Sequence, residues 1–174
     1  DRLRYLEDIF MGRIDTLYSN RFNLSKATKY ADLVVGAVLI PGGKTPKIIT
    51  EEMVKKMQPG SVIVDVAIDQ GGCIETIKYP TTHAEPVFVK HGVIHYAVSN
   101  IPGAVPRTST LALTNATLPY LLEMAKKGWK QAVLDDPALA KGINVMNGKI
   151  TNAAVADAHN LPYHNAEEII RDLG

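Results

Sequence analysis

The residues best placed to do chemistry lie in VDVAIDQGG, residues 64 to 72, where an apolar stretch ends on the carboxylate of Asp69, then Gln70 and the pair Gly71-Gly72. A carboxylate at the end of a strand can accept a proton or stabilise a positive charge that develops on a ligand. An Asp in this position can equally accept hydrogen bonds from the Gly71 and Gly72 amides and only make a turn. Both readings are open from spacing alone. A period of two puts Asp65, Ala67 and Asp69 on one face of the strand, with Asp65 in its middle and Asp69 emerging at its end. Asp65 is therefore read as structural and hydrogen-bonded, because a buried carboxylate without partners is costly.

Other candidates are weaker. Gly42-Gly43 and Gly71-Gly72 let a backbone approach a phosphate or a nicotinamide, but glycine pairs also make ordinary turns. Lys44 and Lys47 are either phosphate partners or solvated loop charges. The histidines, His83, His91, His95, His159 and His164, form no metal-ligand spacing with another His, Cys or acid on one helix face, so no metal is assigned. Cys73 reads as a small buried thiol, and Met124 and Trp129 of the long helix as core. Neither a G-x-G-x-x-G nor a Walker loop is present.

The elements that must position Asp69 follow from periodicity. DRLRYLEDIF carries Leu3, Leu6 and Phe10 at helical spacing, and RIDTLYSN alternates Ile14, Thr16 and Tyr18 as a short strand. LSKATKYAD predicts a helix capped by Ser25. LVVGAVLI, residues 33 to 40, is a continuous apolar run of the kind that parallel strands covered on both faces show. A helix follows with Thr50 as cap, Glu51 and Glu52 in its first turn, Lys55 and Lys56 in its last, and Pro59-Gly60 as its stop. SVIVDVAI and VIHYAVSN are the next core strands. Strand, helix, strand in this order predicts an α/β fold with a parallel sheet of Rossmann type, whose ligand crevice lies outside the carboxyl ends of the strands. Those ends are Val38-Leu39, Ile68-Asp69 and Ser99-Asn100.

From Pro106 the chain turns helical, so residues 1–105 and 106–174 are expected to be separate parts. A long helix is capped by Thr108 or Ser109, with Pro119 as a kink or boundary. A compact helix has Asp136 as cap, Pro137 at its first position and Gly142 as its stop. VMNGKI predicts a hairpin, and a last helix is capped by Thr151.

Composition limits the function classes. The 174 residues are 46% hydrophobic, with 19 basic and 18 acidic side chains and a formal charge of +1. This balance leaves no electrostatic footprint for nucleic acid or an anionic membrane. A single cysteine rules out an internal disulfide, and no apolar run approaches the ~20 residues of a membrane span, which fits a reducing cytoplasm. The chain opens on Asp1 within a helical pattern, so a cut start is expected.

ADLVVGAVLIPGGKTPK, MVKKMQPGSVIVDVAIDQGGCIET and YAVSNIPGAVPRTSTLALTNATLPY closely resemble the NAD-dependent alanine dehydrogenases, and PALAKGIN extends the likeness. The related cofactor-binding subunits of proton-translocating transhydrogenases have similar strands but typically another residue at the position of Asp69, and lack NIPGAVP. They are the alternative reading, with a non-catalytic association fragment as a third. The resemblance implies reversible oxidative deamination of L-alanine to pyruvate and ammonia, with Asp69 beside nicotinamide and substrate as the catalytic carboxylate. It implies NAD contacts at Arg2, Ser19, Val38, Leu39, Val66, Ala67, Ile68, Asp69, Lys78, Val98, Ser99, Asn100 and Ile101, and a homo-oligomer, commonly a hexamer. Asn100-Ile101-Pro102 stands where the family commonly has Asn-Met-Pro.

The same resemblance covers only the family's C-terminal part. The glycine-rich phosphate turn, the acid that holds the ribose, and the substrate domain with its His, Lys and Arg are expected upstream of Asp1, and residues 106–174 are expected to pack on that substrate domain. In a sheet of order 3-2-1-4-5-6 the strands here are the third to sixth, which leaves a gap with unpaired apolar strands on both sides. The isolated chain is expected to bind NAD poorly and to lack turnover unless a separate N-terminal portion complements it.

Overall fold

The computed structural model describes residues 1–172 and divides into two compact units, one of residues 1–38 and 45–99, the other of residues 39–44 with those from Asn100 onward. In the first unit α1 (Arg2–Phe10) and α2 (Arg21–Tyr30) precede β1 (Leu33–Gly36). The cap of α2 is Asn20, whose side-chain oxygen accepts from the Asn23 amide at 2.8 Å; Ser25 lies inside the helix. Asn20 wins because the cap must precede the first helical residue.

Then come α3 (Glu51–Val54), β2 (Val62–Asp65), β3 (Val87–Lys90) and β4 (Val93–Tyr96). Thr50 caps α3 as expected, but the helix stops at Val54, which leaves Lys55 as its C-cap.

The sheet order is β1-β2-β4-β3. β1, β2 and β4 run parallel, with Val34 opposite Ile63 and Ile63 opposite His95. β3 adds an antiparallel edge through a two-residue turn at His91 and Gly92, both at positive φ. This strand was missed, although the β-branched and aromatic run Val87-Phe88-Val89 before His91-Gly92 is its signal.

RIDTLYSN is not a strand. An isolated extended segment leaves its amides and carbonyls without ladder partners, so alternation alone does not make one. The sheet therefore has no gap flanked by two strands; it ends at β1. Leu33 and Val35 are 57% and 55% exposed, so one face of β1 is open where the apolar run predicts cover on both.

The core of this unit joins Met53, Val54 and Met57 to Ile63, Ile74, Ile77 and Val93. His95 is fully buried in the sheet, with one ring nitrogen hydrogen-bonded to Thr76 at 2.8 Å, the other to the Val93 carbonyl at 2.9 Å, and Phe88 stacked 4.9 Å from its ring. Burial holds its pKa below the usual histidine value.

The second unit contains α4 (Pro106–Lys127), α5 (Trp129–Asp135), α6 (Pro137–Gly142), the hairpin β5 (Val145–Met146) and β6 (Lys149–Ile150), α7 (Ala153–His159) and α8 (Ala166–Asp172). Pro106 opens α4, where a missing amide costs nothing, so neither Thr108 nor Ser109 is needed as a cap. Ser109 instead donates to the Pro102 carbonyl at 2.9 Å. The helix runs through Pro119.

Asp136 caps α6 through the Ala138 amide, as expected. Asn152 caps α7 in place of Thr151, whose hydroxyl donates to the Ile143 carbonyl. The hairpin turns on Asn147-Gly148, both at positive φ. Val133, Met146, Ile169 and Ile170 form a small core, while Trp129 is 44% exposed rather than buried. α4 buries none of its residues. No helix among the described residues is long and apolar enough to cross a membrane.

Candidate functional site

β2 and β4 are parallel neighbours, so the chain leaves both at the same edge of the sheet. β2 ends at Asp65, earlier than the apolar run suggests, and Ile68–Gln70 form one turn of 3₁₀ helix. Asp69 therefore does not share a strand face with Asp65: at Ala67, with φ of −83° and ψ of 8°, the backbone has already left the extended conformation, and the period of two lapses.

The Gly71 and Gly72 amides donate to the carbonyls of Ile68 and Ala67 at 3.0 and 2.9 Å. Backbone thus closes the turn, and Asp69 is not its clasp. The exposed Asp69 carboxylate instead accepts from the hydroxyl of Ser99, which leads out of β4. An acid with an oriented oxygen at the carboxyl edge can hold a proton or a cationic centre.

Beneath this turn Asp65 is fully buried and collects amides. Its Oδ1 accepts from Ala67 at 3.1 Å, and its Oδ2 from Cys73 at 2.9 Å and Ile74 at 3.3 Å. This is the structural role expected of it. Gly72 has φ of +70°, and a Cβ there would lie 2.6 Å from Asp65 Oδ2, so only glycine fits. Cys73 is buried as expected, and its thiol is pushed up to about 11 by burial and by the Asp65 charge.

Lys47, though exposed, is more than a plain solvated charge. Its Nζ donates to the carbonyls of Gly71 at 2.7 Å, Ile74 at 3.1 Å and Ile77 at 3.4 Å. Its neighbours reinforce the attachment, for the Thr45 amide donates to Gln70 and the Ile48 amide to Cys73, each at 2.9 Å. Sequence reasoning missed this role, because a lysine that serves carbonyls distant in the chain has no local signature.

Of the remaining candidates in the first unit, Ala67, Ile68 and Val98 are buried and offer a ligand backbone only, whereas Val66 is 48% exposed. Val38 is half-buried; Ser19 and Lys78 are exposed. Arg2 lies on α1 with its guanidinium 4.9 Å from the Tyr5 ring. Leu39, Asn100 and Ile101 belong to the second unit, where Asn100 adopts φ of +56° and Ile101 opens a 3₁₀ turn.

Among the described residues no three or more His, Cys, Asp or Glu side chains are grouped to hold a metal. A cleft of about 500 Å³ runs between α2 and β1, lined by Leu24, Ala27, Thr28, Leu33, Val35 and Val38. With no titratable side chain in its lining, it is a surface for packing rather than for proton transfer.

A family described as Alanine dehydrogenase/PNT, C-terminal domain, matches residues 1–153. The chain belongs to the alanine dehydrogenase family. It is 66% identical to an alanine dehydrogenase of Methanococcus maripaludis over 98% of its own length, and 60% identical to one of Lysinibacillus sphaericus over the same share. A solved L-alanine dehydrogenase superposes with a TM-score of 0.77 at 48% identity, covering 91% of this chain and 44% of that one. The chain spans 46% of the length of these two curated alanine dehydrogenases.

Proposed function

We propose that this chain is the cofactor-side part of an NAD-dependent alanine dehydrogenase, an oxidoreductase that converts L-alanine to pyruvate and ammonia and back. The observation that carries the reading is the exposed Asp69 carboxylate, oriented by Ser99 at the carboxyl edge of the parallel strands. NAD supplies a hydride acceptor. The residues suit it: glycine at positions 71 and 72 keeps side chains off the turn, and Val66 offers exposed apolar surface three residues before the acid. Backbone of Ala67, Ile68 and Val98, with Arg2, Ser19, Val38, Leu39, Lys78, Ser99, Asn100 and Ile101, completes the set proposed to hold the cofactor.

In the forward direction the ammonium of alanine loses a proton, and the Cα–H bond breaks with its electron pair as hydride. The resulting iminium is cationic, and the Asp69 carboxylate stabilises that charge as it forms. Water then adds to the iminium carbon, and ammonia leaves with the C–N bonding pair. Asp69 is positioned to relay protons in these steps.

The remaining length of the relatives is proposed to supply the groups that clamp the substrate carboxylate, with residues 106–174 packing on that part. A homo-oligomer in a reducing cytoplasm is the proposed working form; the single, buried cysteine suits it. The test is a polypeptide of the relatives' length that carries this segment, given NAD and L-alanine. NADH and pyruvate should form in equal amounts; their absence would refute the activity.

A further inference from the structure

Two opposite charges grip the Asp69 turn, Asp65 from the buried side and Lys47 from an exposed position. Asp65 is an anion that gathers three amides, those of Ala67, Cys73 and Ile74, and so fixes both the start and the end of the turn. Lys47 is a cation that gathers three carbonyls, those of Gly71, Ile74 and Ile77. Charge-assisted hydrogen bonds are roughly twice as strong as neutral ones, and here they act on a segment with a backbone that glycine leaves loose.

Ile74 is held from both sides, its amide by Asp65 and its carbonyl by Lys47. Between the two grips lie Ile68–Gln70, with Asp69 in the middle.

We infer that Lys47 and Asp65 are positioning residues for Asp69: a paired cation and anion that fix the turn's carbonyls and amides and so set where the Asp69 carboxylate meets the substrate. The inference rests on the reading of Asp69 as the catalytic carboxylate. Neither residue needs to touch substrate or cofactor. A carboxylate displaced by about 1 Å can lose on the order of a hundredfold in rate while ligand binding is largely kept.

The experiment uses the full-length enzyme with Lys47→Met, which keeps the stem and removes the donors, beside Lys47→Arg, which restores a cationic donor, and Asp69→Asn as reference. Expected for Lys47→Met is a kcat lower by roughly ten- to a hundredfold, with KM for alanine and the dissociation constant for NAD within about threefold of the parent, and partial recovery in Lys47→Arg. A purely structural lysine would lower the yield or the melting temperature but leave kcat per folded molecule unchanged.

If Asp69→Asn abolishes turnover while Lys47→Met retains the parental kcat, the positioning role is wrong and the catalytic reading stands. If Asp69→Asn itself turns over normally, both fall. Should Lys47→Met not fold, Lys47→Gln, whose shorter neutral amide has two N–H donors and so cannot hold all three carbonyls, carries the same comparison, and an unchanged kcat overturns the inference there too.

Discussion

The hydroxyl of Ser99 donates to the carboxylate of Asp69, linking the segment that leaves β4 to the turn that follows β2. The bond ties two strand exits together through their side chains. Ser99→Ala should therefore keep the charge and remove a bond that orients it. A hydrogen bond to a charged group contributes about 1.5–3 kcal/mol, so kcat of the full-length enzyme should fall by about ten- to a hundredfold, with Ser99→Thr close to the parent. Steady-state kinetics of the two variants check this.

The close approach of Gly72 to Asp65 predicts a stability effect. Gly72→Ala must place a Cβ 2.6 Å from Asp65 Oδ2 on a backbone with φ of +70°. The variant should lose roughly 2–4 kcal/mol, read as a lower urea midpoint with an unchanged m-value.

A similar contact separates β1 from the turn, since a Cβ on Gly36 would lie 2.4 Å from Cys73 Sγ. Gly36→Ala should destabilise, and Cys73→Ala should relieve part of the loss. The double variant is expected to be at least about 0.5 kcal/mol more stable than the sum of the single effects, because the two sites share one contact. Additive effects would show that the contact is not the cause.

Cys73 should be inert while the protein is folded. Its thiol, pushed up to about 11, holds almost no thiolate at neutral pH, and it is buried. Reaction with a disulfide reagent should be slow in buffer and fast in urea. Rapid labelling of the native protein would contradict the packing of the turn.

His95 predicts the direction of a pH dependence. Its folded pKa is lowered by burial, so the native state binds fewer protons than the unfolded chain. The stability it contributes is complete above the unfolded value of about 6.5 and is lost as pH falls below it. Stability measured between pH 7.5 and 5.5, roughly a unit either side of that value, should drop on acidification, and His95→Gln should flatten that slope.

What the sequence reveals divides by whether the signal is local. The Thr50 and Asp136 caps, the Asn147-Gly148 turn and the three parallel strands follow from spacing within a few residues, and all are present. RIDTLYSN failed because strand formation depends on a partner, and alternation records only which side chains are apolar. Ser25 and Thr151 failed as caps because Asn20 and Asn152 stand at the residues where the helices begin.

Around the candidate site, an exposed acid at the strand exit and the buried, hydrogen-bonded Asp65 follow from an apolar run that ends in polar residues. The Ser99 bond and the three carbonyls held by Lys47 were not, since they join positions 30 and 24 to 30 residues apart that only the folded sheet brings together.

The central claim is that Asp69 carries the chemistry, and its most direct measurement is turnover of Asp69→Asn in the full-length enzyme beside its affinity for NAD. Asparagine keeps the shape and the Ser99 contact but removes the charge. The account predicts a kcat lower by at least about a thousandfold, some 4 kcal/mol of lost stabilisation, with the NAD dissociation constant within about threefold of the parent. An Asp69→Asn enzyme that forms NADH from L-alanine at the parental rate would contradict it.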